Sequence, residues 1–412
     1  MRRYLFASML LATTALATSA VLAASSTVTL TSTAGNILSI MQSGVGTETS
    51  NVAITGGGSN GVTIDQVGAA TATLESDVAL TDHSSSTVLV NQVGSAVATA
   101  TTISKVSGST TKGAIVEIQQ ADAQSGTTST TTSAVTVDNG VSDEVRVIQG
   151  GNADAISGVQ VDGIGLGLNR VNVVQSNGVN LNSLVRIFGA DNVVDVLQDV
   201  GPVITGPVDA TSNVSIAGFT NTAKVAQTSA SLVVSTITID GESNIAAVDQ
   251  SLGGNLNSDI DVIGGSNTTT VDQNGGGHIS VIAILPGSAN SVDVIQDAEA
   301  HKSDILIDGN VNSVLVLQNG FLNNSDVDVF GDKNMLMVDQ QADNNMSTVA
   351  LGGPPSNGNT ISVLQAGPGN MSHITLTLSD GNNVTHQQFG VGATASTSLT
   401  SSVGNTVSVT TF

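Results

Sequence analysis

The chain has 412 residues, a formal net charge of −23 and no cysteine, and only 2% of its residues are aromatic. The absence of thiols excludes a disulfide framework and a thiolate metal site, and the excess of acid disfavours binding to nucleic acid or anionic membranes, because like charges repel. With 40% hydrophobic residues and so few rings, the composition favours a thin core of aliphatic side chains over a thick globular one.

The first predicted element is a secretory signal peptide over residues 1–23. Arg2 and Arg3 precede an apolar run that ends in small residues suited to cleavage after Ala23 or Ala24, which is the pattern of such leaders. Without these two arginines the net charge changes from −23 to −25. No later stretch is long and apolar enough to suggest a membrane span.

After the leader, glutamines recur at a nearly fixed interval. From Gln227 to Gln340 the interval is 23, 23, 23, 22 and 22 residues, and a period of this length is the signature of stacked repeats. The series comprises fifteen glutamines: Gln42, Gln66, Gln92, Gln119, Gln149, Gln175, Gln198, Gln227, Gln250, Gln273, Gln296, Gln318, Gln340, Gln365 and Gln388. In twelve of the fifteen repeats an asparagine lies six residues earlier: Asn36, Asn60, Asn169, Asn192, Asn221, Asn244, Asn267, Asn290, Asn312, Asn334, Asn359 and Asn382.

Each repeat predicts two short β-strands joined by an arch. The apolar residues between Asn192 and Gln198 fall at alternate positions, so a strand would place them on one face, whereas a helix would scatter them. An earlier apolar alternation in each repeat, such as Val185-x-Ile187, forms the first strand. The joint is Gly-x-x-Asn, where glycine reaches backbone conformations that cost other residues energy. These turn glycines are Gly189, Gly218, Gly241, Gly264, Gly287, Gly309 and Gly331.

The predicted fold is all-β: a two-sheeted parallel β-solenoid of strand–arch–strand coils, with about 22–23 residues in each of about fifteen coils. A buried amide without a partner costs about 1–3 kcal/mol. Identical amides on successive coils, about 4.8 Å apart, can bond to one another. We therefore expect the asparagines and glutamines to point inward as a structural amide ladder, which fixes the register because a one-residue slip would turn every inward side chain outward.

The repeat becomes irregular between residues 95 and 142, where we expect degenerate or loop-rich coils within a single solenoid that spans 24–412. The glutamine interval widens there to 27 and 30 residues, and asparagine is missing at the register positions Ser86, Gly113 and Asp143. At the other end the register continues from Asn405 to Phe412, which predicts an uncapped sheet edge able to pair with another chain.

The repeat resembles that of curlin, the subunit of curli-type functional amyloid, over roughly Asn36 to Phe412. Curlin units resemble Ser-x-h-x-h-x-Gln-x-Gly-x-x-Asn-x-h-x-h-x-Gln, where h is aliphatic, and pairs such as Asn312 and Gln318 match its second half. The first half keeps the serine and the alternation in "SDILIDGNVN", but Asp308 stands where curlin would have its first glutamine. The resemblance implies secretion across an outer membrane, templated polymerisation, and a role in biofilm matrix and surface adhesion.

Other motifs are interpreted as structural. Ser59 lies in "GGSNG", which matches a nucleophile-elbow string, but a strand follows it instead of the helix that such a site needs. No enzyme is therefore predicted. The histidines fall at different phases of the repeat without an acid–base pairing and are expected at the surface or in turns: His83, His278, His301, His373 and His386.

Two pairs of aspartates project from predicted first strands, Asp259 with Asp261 and Asp326 with Asp328. Carboxylate oxygens suit Ca²⁺, but the Gly-Gly-x-Gly-x-Asp motif of calcium β-rolls is absent from the sequence. We therefore interpret these charges as screened by diffuse counterions or simply solvated. No cofactor is predicted, and specific calcium binding is the weaker alternative.

Two functions fit the sequence. The first is a secreted fibre subunit on the surface of a Gram-negative-type bacterium, which self-assembles by end-to-end β-stacking into matrix or adhesive fibres. Its partners would be further copies of itself, a nucleator subunit and an outer-membrane secretion pore. The alternative is a monomeric β-solenoid adhesin or polysaccharide-binding rod, because regular solenoid faces form extended binding surfaces.

Overall fold

The computed structural model describes residues 23–412 except for short segments, and every element in the described part is a β-strand. The segments outside the description are 1–22, 32–34, 95–100, 110–113, 123–129, 139–142, 152–153, 163–167, 190, 201–207, 219, 229–230, 242, 252–253, 265, 288, 310, 331–332, 342, 353–357, 378–379 and 402. The predicted signal peptide therefore lies almost wholly outside the described residues, and so does Gly331.

Twenty-four strands follow one another along the chain. They are β1 (Ala23–Thr31), β2 (Asn36–Gly94), β3 (Thr101–Ser109), β4 (Ala114–Asp122), β5 (Thr130–Asp138), β6 (Glu144–Gly150), β7 (Asp154–Asp162), β8 (Arg170–Ser176), β9 (Asn180–Phe188), β10 (Val194–Asp199), β11 (Asp209–Ala217), β12 (Ala223–Thr228), β13 (Leu232–Asp240), β14 (Ala246–Ser251), β15 (Asn255–Ile263), β16 (Thr269–Thr270), β17 (Gly275–Gly276), β18 (Ser280–Gly287), β19 (Ala298–Glu299), β20 (Ser303–Gly309), β21 (Asp326–Phe330), β22 (Ser347–Gly352), β23 (Ser372–Thr377) and β24 (Ala395–Thr400).

The first strands of successive coils form one parallel sheet, and the second strands form another. In the first sheet β9, β11 and β13 pair through Val185, Val214 and Ile237. In the second sheet β8, β10 and β12 pair through Gln175, Gln198 and Gln227. The prediction of an all-β, two-sheeted parallel β-solenoid is confirmed, although the number of coils differs slightly from the expected fifteen.

The strands bury alternate side chains. In β13 the side chains at every second position from Val233 to Ile239 are buried, and those between them reach solvent. The buried aliphatic residues of both sheets form one continuous core that runs from Leu38 to Val384. Because one coil adds only a few of these side chains, each coil depends on its neighbours for a closed core.

The expected register was wrong in one coil, where Gln120 and not Gln119 occupies the glutamine position. Gln92 pairs with Gln120, and Gln120 pairs with Gln149. Gln119 lies on the outer face, and its side-chain amide donates to Glu117 at 2.7 Å. Two consecutive glutamines make the spacing ambiguous, and the inward parity of the aliphatic residues in β4 decides between them.

Strands continue through the region where we expected degenerate or loop-rich coils. Between residues 95 and 142 the chain forms β3, β4 and β5, each nine residues long. Each of them pairs in register with the corresponding strand of a neighbouring coil. The connecting segments of this region lie outside the described residues, so the expectation of longer loops there stays a prediction.

The arch that joins the two strands of a coil, called here the first arch, requires glycine because the first arches of successive coils are in close contact. A Cβ atom on Gly218 would lie 1.5 Å from the carbonyl oxygen of Gly189, and one on Gly264 would lie 1.5 Å from that of Gly241. The backbone φ angles of Gly218 and Gly264 are 155° and 148°. Further along, Gly287 pairs with Gly309, so the column of arch glycines continues.

Replacing an arch glycine by alanine should therefore destabilise the solenoid. A Cβ atom at Gly241 would lie 1.7 Å from the Gly218 carbonyl oxygen, so we expect Gly241→Ala to lower the free energy of unfolding by about 1–3 kcal/mol or more, as overpacking does. The control is Gly61→Ala, where no atom lies within 4 Å of the added methyl group. Guanidinium denaturation followed by circular dichroism measures both variants, and equal losses would contradict the steric explanation.

Candidate functional site: the buried amide columns

Glutamine side chains from successive coils form a hydrogen-bonded column in the interior. Gln198 donates its Nε2 hydrogen to Gln175 Oε1 at 2.7 Å, and Gln227 donates to Gln198 Oε1 at 2.5 Å. Within this column, Gln42 is 8% exposed, whereas Gln66 to Gln388 are at most 1% exposed. The column consists of Gln42, Gln66, Gln92, Gln120, Gln149, Gln175, Gln198, Gln227, Gln250, Gln273, Gln296, Gln318, Gln340, Gln365 and Gln388.

Each amide also crosses the interior to the opposite sheet. Gln175 Nε2 donates to the carbonyl oxygen of Asn182 at 2.8 Å, seven residues on, and Gln198 Nε2 donates to that of Thr211 at 2.9 Å, thirteen residues on. In both coils the acceptor is the residue just before a buried serine of the first strand. The glutamine thus binds the same position in the first strand of the next coil. This holds whatever the length of the second arch, which is the segment that joins the second strand of one coil to the first strand of the next.

The direction of the glutamine column reverses once along the chain. Up to Gln250 each Nε2 donates to the preceding coil, whereas Gln273 donates forward to Gln296 Oε1 at 2.6 Å. Later glutamines keep this forward direction, as in Gln296 to Gln318 at 2.5 Å. At the reversal the Oε1 atoms of Gln250 and Gln273 are buried without a hydrogen-bond partner among the described residues.

The reversal accompanies a shorter second arch. Gln273 donates to the carbonyl oxygen of Ile279, six residues on, where Gln250 reaches Asn257, seven residues on. From Gln296 onward the column glutamines have positive φ, for example 76° at Gln296. The left-handed backbone thus accompanies the forward direction in the later coils, whereas at Gln273 it is the next residue, Asn274, that has a positive φ of 69°.

The asparagines of the first arch form a second column that keeps one direction. Asn221 Nδ2 donates to Asn192 Oδ1 at 2.8 Å, and also to the carbonyl oxygen of Gly218 at 3.1 Å. The same backward donation continues through the later members of this column: Asn244, Asn267, Asn290, Asn312, Asn334, Asn359, Asn382 and Asn405. From Asn192 to Asn267 each amide therefore binds both its own arch and the coil before it.

Sequence reasoning missed a column of serines opposite the glutamines. Ser212, Ser235 and Ser258 are fully buried and occupy paired positions in β11, β13 and β15. In the first coils Ser50 Oγ donates to Gln42 Oε1 at 2.8 Å. The signal was present in the sequence, because a serine begins the apolar alternation of nearly every repeat.

A further column in the second arch changes its chemistry along the chain. It occupies the position two residues before the column serines. From Leu181 onward its members are Leu181, Ala210, Val233, Leu256, His278, His301, Asn323, Asn345 and Asn370, all buried. The earlier coils have Glu48, Leu74, Thr102, Thr131 and Ala155 at this position, also buried. Asn345 donates to Asn323 Oδ1 at 2.9 Å, and Asn370 donates to Asn345 Oδ1 at 3.0 Å. From Ala155 onward the column changes once from apolar to polar members, and this change falls at the reversal of the glutamine column.

The expectation that the histidines lie at the surface or in turns was wrong for His386, which is buried in the core. The expectation of different repeat phases was wrong for His278 and His301, which lie in the second arch. His278 and His301 share one repeat phase, are 1% and 4% exposed, and stack with ring centroids 5.2 Å apart. His386 replaces a core aliphatic residue and contacts Ser372 Oγ at 3.1 Å. Burial lowers the pKa of His278 and of His386 to about 4. His373 faces outward, and the side chain of His83 lies outside the described residues.

Aspartates form rows on the outer faces, as their parity predicts. Burial and the neighbouring Asp261 raise the pKa of Asp259, and burial and Asp304 raise that of Asp326. In the described part of the chain no group of three or more His, Asp or Glu side chains could hold a metal ion. The side chain of Ser59 lies outside the described residues.

The first-arch column contains one carboxylate, Asp143, which is 2% exposed. Its Oδ1 accepts the backbone N–H of Ala114 at 3.2 Å, whereas its Oδ2 is buried without a partner among the described residues. Burial raises the pKa of Asp143 above its ordinary value, although the hydrogen bond from Ala114 acts in the opposite direction. A charge at this point is unfavourable because it is separated from water.

These columns and the two parallel sheets define a structural β-solenoid whose coils are held in register by buried amides. Comparison with family models adds a name for the repeat, since residues 309–350 match the curlin associated repeat. The chain is therefore consistent with a divergent curlin-repeat protein. Neither the curated proteins nor the solved structures include a match to it. No helix of the described residues is long and apolar enough to cross a membrane.

Adjacent glutamines provide a test of the column. Gln120→Leu removes the donor to Gln92 Oε1 at 2.8 Å and to the Thr132 carbonyl oxygen at 3.0 Å. We expect it to lower the free energy of unfolding by about 2–4 kcal/mol, because these buried acceptors lose their partner. Gln119→Leu changes an outward side chain and should alter it by about 0.5 kcal/mol or less. Denaturant unfolding of both variants tests this prediction. Similar losses of stability in the two variants would contradict the assignment of Gln120, and not Gln119, to the column.

Replacing the buried carboxylate should stabilise the fold at neutral pH. Asp143→Asn removes a charge whose folded-state pKa is raised, so the native protein gains stability as the pH falls through that pKa. We therefore expect the variant to be more stable at pH 7, with an advantage that shrinks towards pH 4. Glu144→Gln, at the adjacent exposed position, is the control and should show no such trend. Melting temperatures across this pH range test the prediction.

Proposed function

We propose that the protein is a secreted structural subunit that adds to further copies of itself, end to end, to build extracellular matrix or adhesive fibres. Copies of the chain are its main partners, with a nucleator subunit and an outer-membrane secretion pore as the further partners of such a system. The predicted signal peptide and the curlin associated repeat at residues 309–350 support export to the cell surface.

The observation that carries this proposal is the equivalence of successive coils. The first strands pair in parallel from coil to coil up to β24, and the second strands pair as far as β16, as Val214 does with Ile237 and Gln227 does with Gln250. The asparagine column donates backward and accepts forward at each step. The first strands and the asparagine column of one molecule therefore offer the same partners as those of another, so these contacts would also join two solenoids.

The strand β24 offers a place for such joining. It pairs with β23 and with no other strand of the described chain. Core-facing residues of the same coil are accessible, with Val407 43% and Val409 48% exposed. An unpaired parallel strand beside accessible apolar side chains is a template for another chain.

Fibre formation is the direct test. We expect the purified mature protein at neutral pH to form unbranched fibres in electron micrographs, with a diffraction spacing of about 4.7–4.8 Å along the fibre axis. A chain that stays monomeric at high concentration and forms no fibres would contradict the proposal. If that monomer were retained on a polysaccharide column, the alternative of a binding rod would replace it.

Two variants with the same added charge test where the molecules join. Val409→Asp places a carboxylate where stacking would bury it, so we expect fibre elongation from preformed seeds to slow at least tenfold while the melting temperature changes little. Ser398→Asp places the same charge at an outward position of β24 and should elongate normally. Equal elongation of both variants would show that fibres grow through another surface.

A further inference from the structure

The stacked histidines lie where two properties of the interior change together. His278 and His301 follow Leu256 in the second-arch column, and Asn323 follows them. The serines beside them, Ser258, Ser280 and Ser303, pair from coil to coil, so the column members occupy successive coils. The coil of His278 begins directly after Gln273, where the glutamine column reverses.

The hydrogen bonds of His301 require its neutral form. Its Nε2 contacts the carbonyl oxygen of Asp297, which can only accept, so Nε2 carries the hydrogen. Its Nδ1 lies 3.2 Å from Asn323 Nδ2, which can only donate, so Nδ1 must be the unprotonated acceptor. A proton on Nδ1 would place two donors against each other.

Protonation of His301 would also disturb the coils that follow. Asn323 Nδ2 donates to His301 and to the Gly320 carbonyl oxygen at 2.9 Å, while its Oδ1 accepts from Asn345. If Asn323 turned its oxygen towards a charged His301, the amide of Asn345 would lose its acceptor. The amide of Asn370 donates to Asn345 in the same direction, so the conflict would continue along the column.

Burial and the neighbouring His301 disfavour a charge on His278, although the backbone of Asn274 acts in the opposite direction. Its ring stacks on His301 at an interplanar angle of 10°, and the column position in the coil before it is the buried Leu256. A charge on His278 would therefore lie between an aliphatic side chain and a second imidazole. Two charged rings at this distance would also repel each other.

Few charged groups act on the pair. Asp297 is the acid that acts on both rings, and its charge favours protonation. Glu299 and Lys302 flank His301 in the chain with opposite charges. Burial nevertheless outweighs the attraction of Asp297, since the pKa of each histidine lies below its ordinary value.

The coil boundary beside these rings is already weakened. The Oε1 atoms of Gln250 and Gln273 are buried without a partner among the described residues, so the hydrogen-bonded glutamine column is interrupted between their coils. Elsewhere the column joins each coil to its neighbour. When His278 becomes charged, the coils should therefore separate most easily at this boundary.

We propose that His278 and His301 form an acid-sensitive joint, at which protonation of either ring opens the second arches of their coils while coils further away stay folded. The direction follows from linkage. A histidine that is neutral in the fold has its full stability above the unfolded pKa of about 6.5. Between that pH and the lowered pKa of each histidine in the fold, which is about 4 for His278, acidification favours opening about tenfold per pH unit for each histidine.

Hydrogen exchange of the full-length chain tests this joint. The matched variant is H278L/H301N, because leucine extends the apolar column from Leu256 and asparagine extends the amide column back from Asn323. At pH 7.5 we expect equal protection of residues 274–303 in both proteins. At pH 5 the native protein should exchange at least tenfold faster there than the variant, and no faster in β9 to β13. Equal protection at pH 5 would overturn the proposal.

A second measurement does not depend on the double variant being folded. Titration of the imidazole carbon-bound protons by NMR in the native protein should give pKa values below 6.5 for two resonances that H278N and H301N each remove singly. Values at or above 6.5 would overturn the joint. His386→Val restores the aliphatic residue of the neighbouring coils and should leave the acid opening of residues 274–303 unchanged. Loss of that opening in H386V would assign the effect to His386 instead.

Discussion

The hydrogen bond from a column glutamine to the carbonyl before a column serine is the interaction on which the solenoid depends. It joins the second strand of a coil to the first strand that follows, so it closes the interior across the second arch. The same amide group joins that coil to its neighbour. One side chain thus connects the two sheets and two successive coils, and no aliphatic residue could do this because packing is not directional.

This bond also explains why the chain tolerates repeats of unequal length. The acceptor lies six residues after Gln273, seven after Gln250 and thirteen after Gln198. Because the glutamine selects a position in the strand and not a distance along the chain, extra residues are absorbed in the arch. The cost of a longer loop rises only slowly with its length, so the register survives the irregular region.

Much of the fold follows from the sequence because its two signals have different periods. Alternation within a strand fixes which side chains face inward, and the interval of 22 or 23 residues fixes which side chains meet between coils. Where the signals compete, as at Gln119 and Gln120, spacing alone chose the wrong residue and the parity of β4 corrects it. The amides could be identified because an inward polar group at constant phase requires a partner of the same kind.

The remaining features could not be read from residue types. The reversal at Gln273 coincides with a six-residue spacing to its acceptor, and nothing in the identity of a glutamine shows the direction of its amide. The pairing of His278 with His301 was visible as a spacing of 23 residues, but the histidines were judged as surface residues one by one. If the position of every polar residue within the repeat had been compared, the two histidines would have been placed in the interior.

The single direction of the asparagine column gives the rod an electrical polarity. Each side-chain amide is a small dipole whose N–H faces the preceding coil and whose oxygen faces the next, and dipoles aligned head to tail add along an axis. The two blocks of the glutamine column oppose each other, and backbone dipoles largely cancel within a sheet. The asparagines therefore leave the end near Asn405 relatively negative and the opposite end relatively positive. Two such rods in an aligned row attract each other when unlike ends face and repel each other when like ends face.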